Sequence, residues 1–146
     1  IVIKNYVNMG IAVDTPEGLI VPNIKNVQEK SILSIAEEIA MLASAAKTRK
    51  LKIPDLKGAS FTISSLGAIG GKFFTPIINP PEVGILGLSK TFAKVVAKND
   101  GFKSREFLPL SLSYDHRVIN GVYAAQFITQ LSTALGDTSL MEKNFK

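Results

Sequence analysis

The sequence predicts an α/β domain of the α+β kind, a mixed and mostly antiparallel sheet with two principal helices packed on one side. Short apolar runs separated by turn-forming Gly and Pro predict the strands. Two longer segments, around residues 31–50 and 120–135, repeat apolar residues at helical spacing. With 146 residues, 46% of them hydrophobic and 20% charged, the chain can bury one core, so we expect a single domain.

The first strands form a predicted hairpin. Two apolar, partly β-branched runs, Val7 to Asp14 and Gly18 to Ile24, flank a turn whose Pro16 and Gly18 are typical turn residues. The pattern Ile1-Val2-Ile3 is also strand-like. Because the chain begins there without Met, we interpret residues 1–146 as the C-terminal part of a larger domain.

A long amphipathic helix is predicted next. It is capped by Ser31 or by Ser34, with Glu37 three residues after Ser34 as in a capping box, and it ends near Lys50. The polar loop 52–58 that follows is unsuited to a regular strand. The residues expected to face the core recur at helical spacing, namely Ile32, Ile35, Ile39, Leu42 and Ala46.

The middle of the chain predicts two strands and a constrained connection. Ala59 to Leu66 is a strand candidate, and Gly67 to Gly71 allows a tight turn. Prolines fix the segment 75–81 in an extended form. Val83 to Ser89 is apolar on both faces, which favours a buried central strand.

The last third predicts a hairpin and a second helix. Phe92 to Ala97 and Phe102 to Ser113 flank Asn99-Asp100-Gly101, a strong hairpin signal. The helix follows Asn120 and ends at Gly136-Asp137. Its sheet-facing stripe comprises Ala124, Phe127, Ile128, Leu131 and Leu135.

Composition excludes several classes of function. Neither a membrane span nor a signal peptide is readable. Without cysteine and with one histidine, thiolate and histidine-rich metal sites are excluded, and a reducing compartment fits best. The net charge of +5 comes partly from cations at the end of the first helix, and the later lysines lack interleaved aromatic residues. We therefore expect no nucleic-acid partner.

The single histidine, His116, lies where a strand-like run meets a helix start. Histidine has the side-chain pKa nearest neutrality, so it can accept and return a proton at physiological pH. A lone histidine is more often a satisfied surface or core residue than a catalytic one. The neighbouring motifs decide between these interpretations.

Four segments occur in a characteristic order, namely Gly10 to Pro22, Phe61 to Gly67, Asn79 to Gly87 and Leu110 to Gly121. They resemble the catalytic core of the dihydrolipoamide acyltransferases, the central components of 2-oxo acid dehydrogenase complexes. The resemblance extends over about residues 1–135, and the second and third segments are more similar to the acetyl-transferring members than to the succinyl or branched-chain ones. The resemblance implies a fold like that of chloramphenicol acetyltransferase and transfer of an acyl group between the thiols of dihydrolipoamide and coenzyme A.

The resemblance also assigns the candidate site residues. His116 matches the family's catalytic histidine and would remove the thiol proton as the new bond forms. Ser64 matches the serine that donates a hydrogen bond to the tetrahedral oxyanion, and it would not be a nucleophile. Asn120 stands where most members have aspartate; its amide cannot become a charged acceptor, so we expect a positioning role or a helix N-cap. Asp115 and Arg117 are expected to form structural ion pairs.

Substrates and partners follow from the resemblance as well. Phe73, Phe74 and Ile77 are candidates for lining a coenzyme A channel, although apolar packing explains them equally. Members form homotrimers with histidine and serine from neighbouring subunits, and trimers build larger cores that bind lipoyl domains and dehydrogenase components. The polar tail 136–146 differs from the apolar end of relatives, so the trimer is the firmer expectation. The lipoyl group belongs to a separate domain, and a bacterial cytoplasm is preferred over the mitochondrial matrix.

Two other functions fit the same pattern. An enzyme of the chloramphenicol acetyltransferase type would use a hydroxyl acceptor, but the glycine-rich and Asn79-Pro80-Pro81 segments favour the lipoamide enzymes. A structural core fragment without activity of its own is the alternative from a different class. Oligomeric state and acyl transfer distinguish the three.

Overall fold

A computed structural model describes residues 1–98, 101–137 and 139. Single-turn 3-10 helices occupy Val27–Glu29 and Ile53–Leu56. The strands and α-helices are, in chain order, β1 (Met9–Ile11), β2 (Val13–Thr15), β3 (Gly18–Ile20), β4 (Asn23–Ile24), α1 (Ile32–Lys47), β5 (Phe61–Ser65), β6 (Gly84–Leu88), β7 (Phe92–Lys98), β8 (Gly101–Phe107), β9 (Leu110–Tyr114) and α2 (Gly121–Gly136).

A five-stranded mixed sheet forms the centre of the fold. Its strand order is β4-β1-β5-β6-β9. The three inner strands β1, β5 and β6 run parallel, whereas β4 and β9 pair antiparallel at the two edges. The remaining pairs, β2 with β3 and β7 with β8, are antiparallel. The predicted mixed, mostly antiparallel α/β architecture is confirmed, and β6 is the buried strand expected from its apolar run.

The register of the strands determines which side chains lie on each face of this sheet. Thr62 pairs with Ile85, which pairs with Ser113, so these three side chains share one face. Phe61 lies on the other face, where its ring is 5.8 Å from that of Phe127 in α2. The second helix therefore covers the Phe61 face and leaves the Thr62 face to the loops.

The first hairpin forms, but its strands are interrupted. β2 and β3 pair around the turn, where Gly18 has a φ of 120° that favours glycine. Ala12 N donates to Ile63 O at 2.9 Å, and Ile11 N donates to Pro22 O at 2.9 Å. The predicted hairpin is thus confirmed, but each of its two long strands is divided in two, because Pro22 has no N–H for a ladder and the chain changes partners at Ala12.

The strand-like pattern at the start of the chain is not a strand. Ile1, Val2 and Ile3 are 84–96% exposed, and residues 1–4 have no regular structure. β-branched residues favour extended backbone, but a strand needs a neighbour with which to pair.

Helix α1 begins one turn earlier than a Ser34 cap would place it. The Ser31 hydroxyl oxygen accepts from Ser34 N at 3.2 Å, so the alternative with Ser34 and Glu37 is wrong. The helix ends at Lys47, slightly before the predicted Lys50, and Arg49 then adopts a φ of 57°. The predicted inner stripe is confirmed at Leu42 and Ala46, which are buried.

The second hairpin also differs in extent from its prediction. β7 and β8 pair over their whole length, whereas the predicted turn residues Asn99 and Asp100 lie outside the described residues. The run Phe102 to Ser113 is two strands, because Pro109 cannot donate to a ladder and separates β8 from β9. No helix within the described residues has the length and apolarity needed to cross a membrane.

Candidate active site

His116 lies in a tight turn between β9 and α2. The amides of Val118 and Ile119 both donate to Asp115 O, at 3.0 and 2.9 Å, which bends the chain there. The backbone around His116 is therefore a turn. The imidazole is exposed and tilted against the Tyr114 ring, with 5.7 Å between the ring centroids.

The charged neighbours of His116 pair with each other. Arg117 Nε and Nη2 donate to the Asp115 carboxylate at 2.9 and 2.6 Å, as predicted for a structural ion pair. The side-chain hydrogen bond from Arg117 lowers the pKa of Asp115 to about 2. The same contact raises the pKa of Arg117. Both groups are thus ionised near neutral pH and occupied with each other.

Asn120 is the N-cap of α2. Its Oδ1 accepts from Tyr123 N at 2.9 Å, and its backbone is extended at φ −83° and ψ 161°. This confirms the N-cap alternative for Asn120, which is the last residue before α2. The Asn120 side chain also borders an apolar cavity of about 410 Å³ between α2 and the Phe61 face.

Ser64 lies on the opposite face of the sheet from Phe61, as the alternation of β5 requires. It is half-buried and lines a cavity of about 500 Å³ together with Phe74 and Ile77. Ser65 points to the other face and is exposed, where its hydroxyl accepts from Gly67 N at 3.4 Å. The structure thus brings Ser64 together with two of the three candidate channel residues, Phe74 and Ile77.

Phe74 is fixed against the sheet, whereas Ile77 is 89% exposed at the rim of the cavity. A Cβ on Gly87 would lie 2.7 Å from Phe74 Cζ, so the ring occupies the space that a side chain at position 87 would need. Phe73 is 72% exposed and borders a separate depression beside Ser111.

Ser64 and His116 are not brought together within one subunit. Ser64 pairs with Gly87, and Gly87 pairs with Ser111, whereas Tyr114 pairs with Gly84 at the other end of β6. The step from Ser111 to Tyr114 spans about 10 Å along the strand, and His116 lies beyond it. The cavity that Ser64 lines is not lined by His116.

Two buried polar residues near Ser64 were not predicted from the sequence. Thr62 and Glu82 are 0% and 8% exposed, and Thr62 Oγ1 donates to Glu82 Oε2 at 2.7 Å. Thr62 precedes Ser64 by two residues, so strand alternation alone could have placed both on one face. Within residues 1–98, 101–137 and 139, no three His, Asp or Glu side chains converge into a group suited to a metal ion.

Comparison with known proteins identifies the family. The model of the 2-oxoacid dehydrogenases acyltransferase (catalytic domain) family matches residues 1–142. The chain belongs to this family. The resemblance seen in the sequence motifs is thereby confirmed.

Individual members of the family are highly similar to the chain. The dihydrolipoyllysine-residue acetyltransferase component of the pyruvate dehydrogenase complex of Azotobacter vinelandii is 56% identical over 134 residues, which are 92% of this chain and 21% of that protein. The corresponding Bacillus subtilis protein is 43% identical over 138 residues, 94% of this chain and 31% of that protein. The chain thus spans a fifth to a third of these relatives.

Solved structures agree in fold. One comes from crystallographic and enzymatic work on a serine, a histidine and an asparagine in the catalytic mechanism of the Azotobacter vinelandii dihydrolipoamide acetyltransferase; it has a TM-score of 0.89 and 55% identity and covers 92% of this chain and 56% of that one. The cubic core of a pyruvate dehydrogenase multienzyme complex has a TM-score of 0.89 and 56% identity, with the same coverage.

Proposed function

We propose that this chain carries the catalytic core of an acetyltransferase that moves an acetyl group between the thiols of dihydrolipoamide and coenzyme A. One observation supports it most. In the Azotobacter vinelandii enzyme, the serine studied for its catalytic role precedes the histidine by 52 residues and the asparagine follows it by four. Ser64, His116 and Asn120 have the same separations.

His116 acts as the general base in this proposal. A thiol with a pKa of about 8.5 is mostly protonated at neutral pH, so its attack is helped by a base. In the direction of acetyl-coenzyme A breakdown, the imidazole takes the dihydrolipoamide S–H proton while the new S–C bond forms. The tetrahedral oxyanion then collapses, the bond to the coenzyme A sulfur breaks, and the proton passes from His116 to that sulfur.

Ser64 stabilises the oxyanion in this proposal. Ser64 lines a cavity and lies in a regular strand, so the backbone that carries the donor is in place before charge develops on the thioester oxygen. The Ser64 oxygen forms no bond to the acyl carbon, and the reaction has no acyl-serine intermediate. Phe74 and Ile77 offer apolar contacts in the same cavity for the pantetheine arm of coenzyme A.

The catalytic unit in this proposal is a homotrimer. Ser64 and His116 lie at opposite ends of β6 in one subunit, so the serine of one subunit works with the histidine of its neighbour. Trimers then assemble into a larger core, and a similar structure is named as a cubic core. Lipoyl domains and the dehydrogenase components of the complex are its partners. The relatives described above are bacterial, which favours a bacterial cytoplasm.

Acetyl transfer from acetyl-coenzyme A to free dihydrolipoamide tests the function. We expect turnover by the intact protein and a loss of about 100- to 10,000-fold in kcat in His116→Ala, because the proton is then removed without a positioned base. Because one thioester is broken for each one formed, the acetylated dihydrolipoamide is separated by chromatography and quantified, and His116→Ala is compared at matched oligomeric state.

Arg117→Ala is the matched control, since Arg117 is adjacent to His116 but pairs with Asp115. It should retain activity within a few fold. Undiminished transfer in His116→Ala would contradict the base assignment. A protein that acetylates only a hydroxyl acceptor, or one that assembles without any transfer, would instead support one of the two alternative functions.

A further inference from the structure

Glu82 is a buried carboxylate with an unusual set of partners. Its Oε2 accepts from Thr62 Oγ1 at 2.7 Å, and its Oε1 accepts from Asn79 Nδ2 at 3.4 Å. Among the residues that the structure describes, no Lys, Arg or His lies within ion-pair distance of it. Burying a charge without a counterion is costly. In place of a counterion, the Glu82 carboxylate has two neutral donors, the Thr62 hydroxyl and the Asn79 amide, which fix its position.

Residues 74–82, of which 74–79 line the Ser64 cavity, are called the cavity loop. The hydrogen bond between Thr62 and Glu82 joins this loop to β5, the strand that contains Ser64. Glu82 N donates to Asn79 O at 3.0 Å, so the carboxylate is anchored in the loop that lines the Ser64 cavity. Thr62 is on the same face of β5 as Ser64, two residues away. The bond therefore connects the two walls between which a substrate would bind.

Thr62 has little freedom to adopt another position. It is fully buried, and a Cβ on Gly10 in the neighbouring strand would lie 2.4 Å from Thr62 Oγ1. Only a glycine at position 10 leaves room for this hydroxyl beside Glu82. The hydroxyl is thus packed from one side and hydrogen-bonded from the other.

From this arrangement we infer that Glu82 and Thr62 are positioning residues, which act through Ser64 by fixing its strand against the cavity loop. The inference depends on the proposed function, in which Ser64 donates to the oxyanion. Neither residue needs to touch the substrate. A misplacement of a catalytic donor by about 1 Å can cost about 100-fold in rate, so a single buried hydrogen bond can matter for catalysis.

The test is a double-mutant cycle in the intact protein with acetyl-coenzyme A and dihydrolipoamide. Thr62→Val keeps the shape but removes the hydroxyl, and we expect kcat to fall about tenfold or more with a smaller change in KM. Thr62→Ser restores the hydroxyl and should recover most of kcat. In a Ser64→Ala background, Thr62→Val should change kcat by less than about twofold, because the group that it positions is gone.

Thr15→Val is the matched control. Thr15 is also buried, and its hydroxyl donates to Gly18 O at 2.8 Å in the β2–β3 hairpin. Any effect of Thr15→Val should be the same with and without Ser64. If Thr62→Val does not fold, Glu82→Gln takes its place, since it removes the charge that strengthens the bond to Thr62.

The outcomes separate the two claims. If Thr62→Val lowers kcat equally with and without the Ser64→Ala substitution, or leaves it unchanged, the positioning role is overturned while the transferase function stands. If the wild-type protein transfers no acetyl group, the proposed function fails and the positioning role fails with it.

Discussion

At the residue scale, the two charged groups next to His116 are already paired with each other. The adjacent carboxylate, Asp115, is paired with Arg117. Its pKa of about 2 lies below the usual 3.8, so the pair stabilises the turn above pH 4 and loses that contribution as the pH falls towards 2. Titration of Asp115 therefore does not contribute to pH dependence of activity near neutrality.

Asn120 gives a residue-scale prediction that separates capping from charge. Asn120→Ala removes the acceptor for Tyr123 N and should lower the free energy of unfolding by about 0.5 to 2 kcal/mol. Asn120→Asp keeps an acceptor at the same atom and adds a negative charge at the helix N-terminus, which is favourable. It should therefore match or exceed the wild-type protein. Chemical denaturation followed by circular dichroism measures all three.

The two substitutions also test the positioning role of Asn120. The expected order of kcat is wild type and Asn120→Asp well above Asn120→Ala, since the first two retain the cap that holds the start of α2 near His116. Equal losses of stability in Asn120→Ala and Asn120→Asp would contradict the capping assignment.

At the element scale, local patterns predicted most of the fold. The helical spacing of apolar residues in α1 and α2 requires one face of each helix to be buried, and the continuous apolar run of β6 requires both faces of that strand to be buried. These patterns therefore determine whether each segment is a helix or a strand. The errors occurred where a hydrogen-bond partner decides the outcome. Pro22 and Pro109 interrupt ladders, and Ser31 competes with Ser34 for the same helix start.

The candidate site could be predicted only in part, for a related reason. Strand alternation selected the face of Ser64, and the turn chemistry around Asn120 predicted the helix start. The separation of Ser64 from His116 depends on the register between β6 and β9, which no local pattern contains. The hydrogen bond between Thr62 and Glu82 joins residues 20 positions apart, so it could not be predicted from a local pattern either.

Packing between β6 and the cavity loop gives an element-scale prediction. A Cβ on Gly87 would meet Phe74 Cζ at 2.7 Å, a distance that requires the ring to move. We expect Gly87→Ala to lower the free energy of unfolding by about 1 to 3 kcal/mol. In a Phe74→Leu background, where the ring is absent, the same change should cost much less. Thermal or chemical denaturation of the four proteins measures the coupling.

Gly136→Ala is the control for glycine loss alone. Gly136 ends α2, and nothing lies within 4 Å of a Cβ placed there. Its substitution should be neutral. If Gly87→Ala is equally destabilising in the Phe74→Leu background and in the wild-type protein, the contact between Gly87 and Phe74 is not the cause.

At the scale of the whole molecule, one subunit leaves much apolar surface uncovered. On α2, Val122 and Tyr123 are 66% and 70% exposed, and Phe127 beside them is 43% exposed. Tyr123 and Phe127 line the apolar cavity that also reaches Asn120, and Val122 lines a separate depression on the same helix. Exposed apolar side chains clustered on one helix are typical of an interaction site. This cluster is consistent with the proposed trimer, in which a second subunit would complete the surroundings of His116.

Subunit mixing tests that assembly directly. Ser64→Ala and His116→Ala proteins each lack one of the two proposed catalytic groups, but in the proposed trimer a mixed assembly can place an intact Ser64 beside an intact His116 across one interface. After dissociation and random reassembly at equal amounts, we expect roughly a quarter of the wild-type activity, because each interface needs one intact group from each side. Mixing Ser64→Ala with the Ser64→Ala/His116→Ala double mutant supplies no serine and should recover nothing. If the first mixture is no more active than its parents, although reassembly is confirmed by sedimentation, then Ser64 and His116 do not form a site between neighbouring subunits.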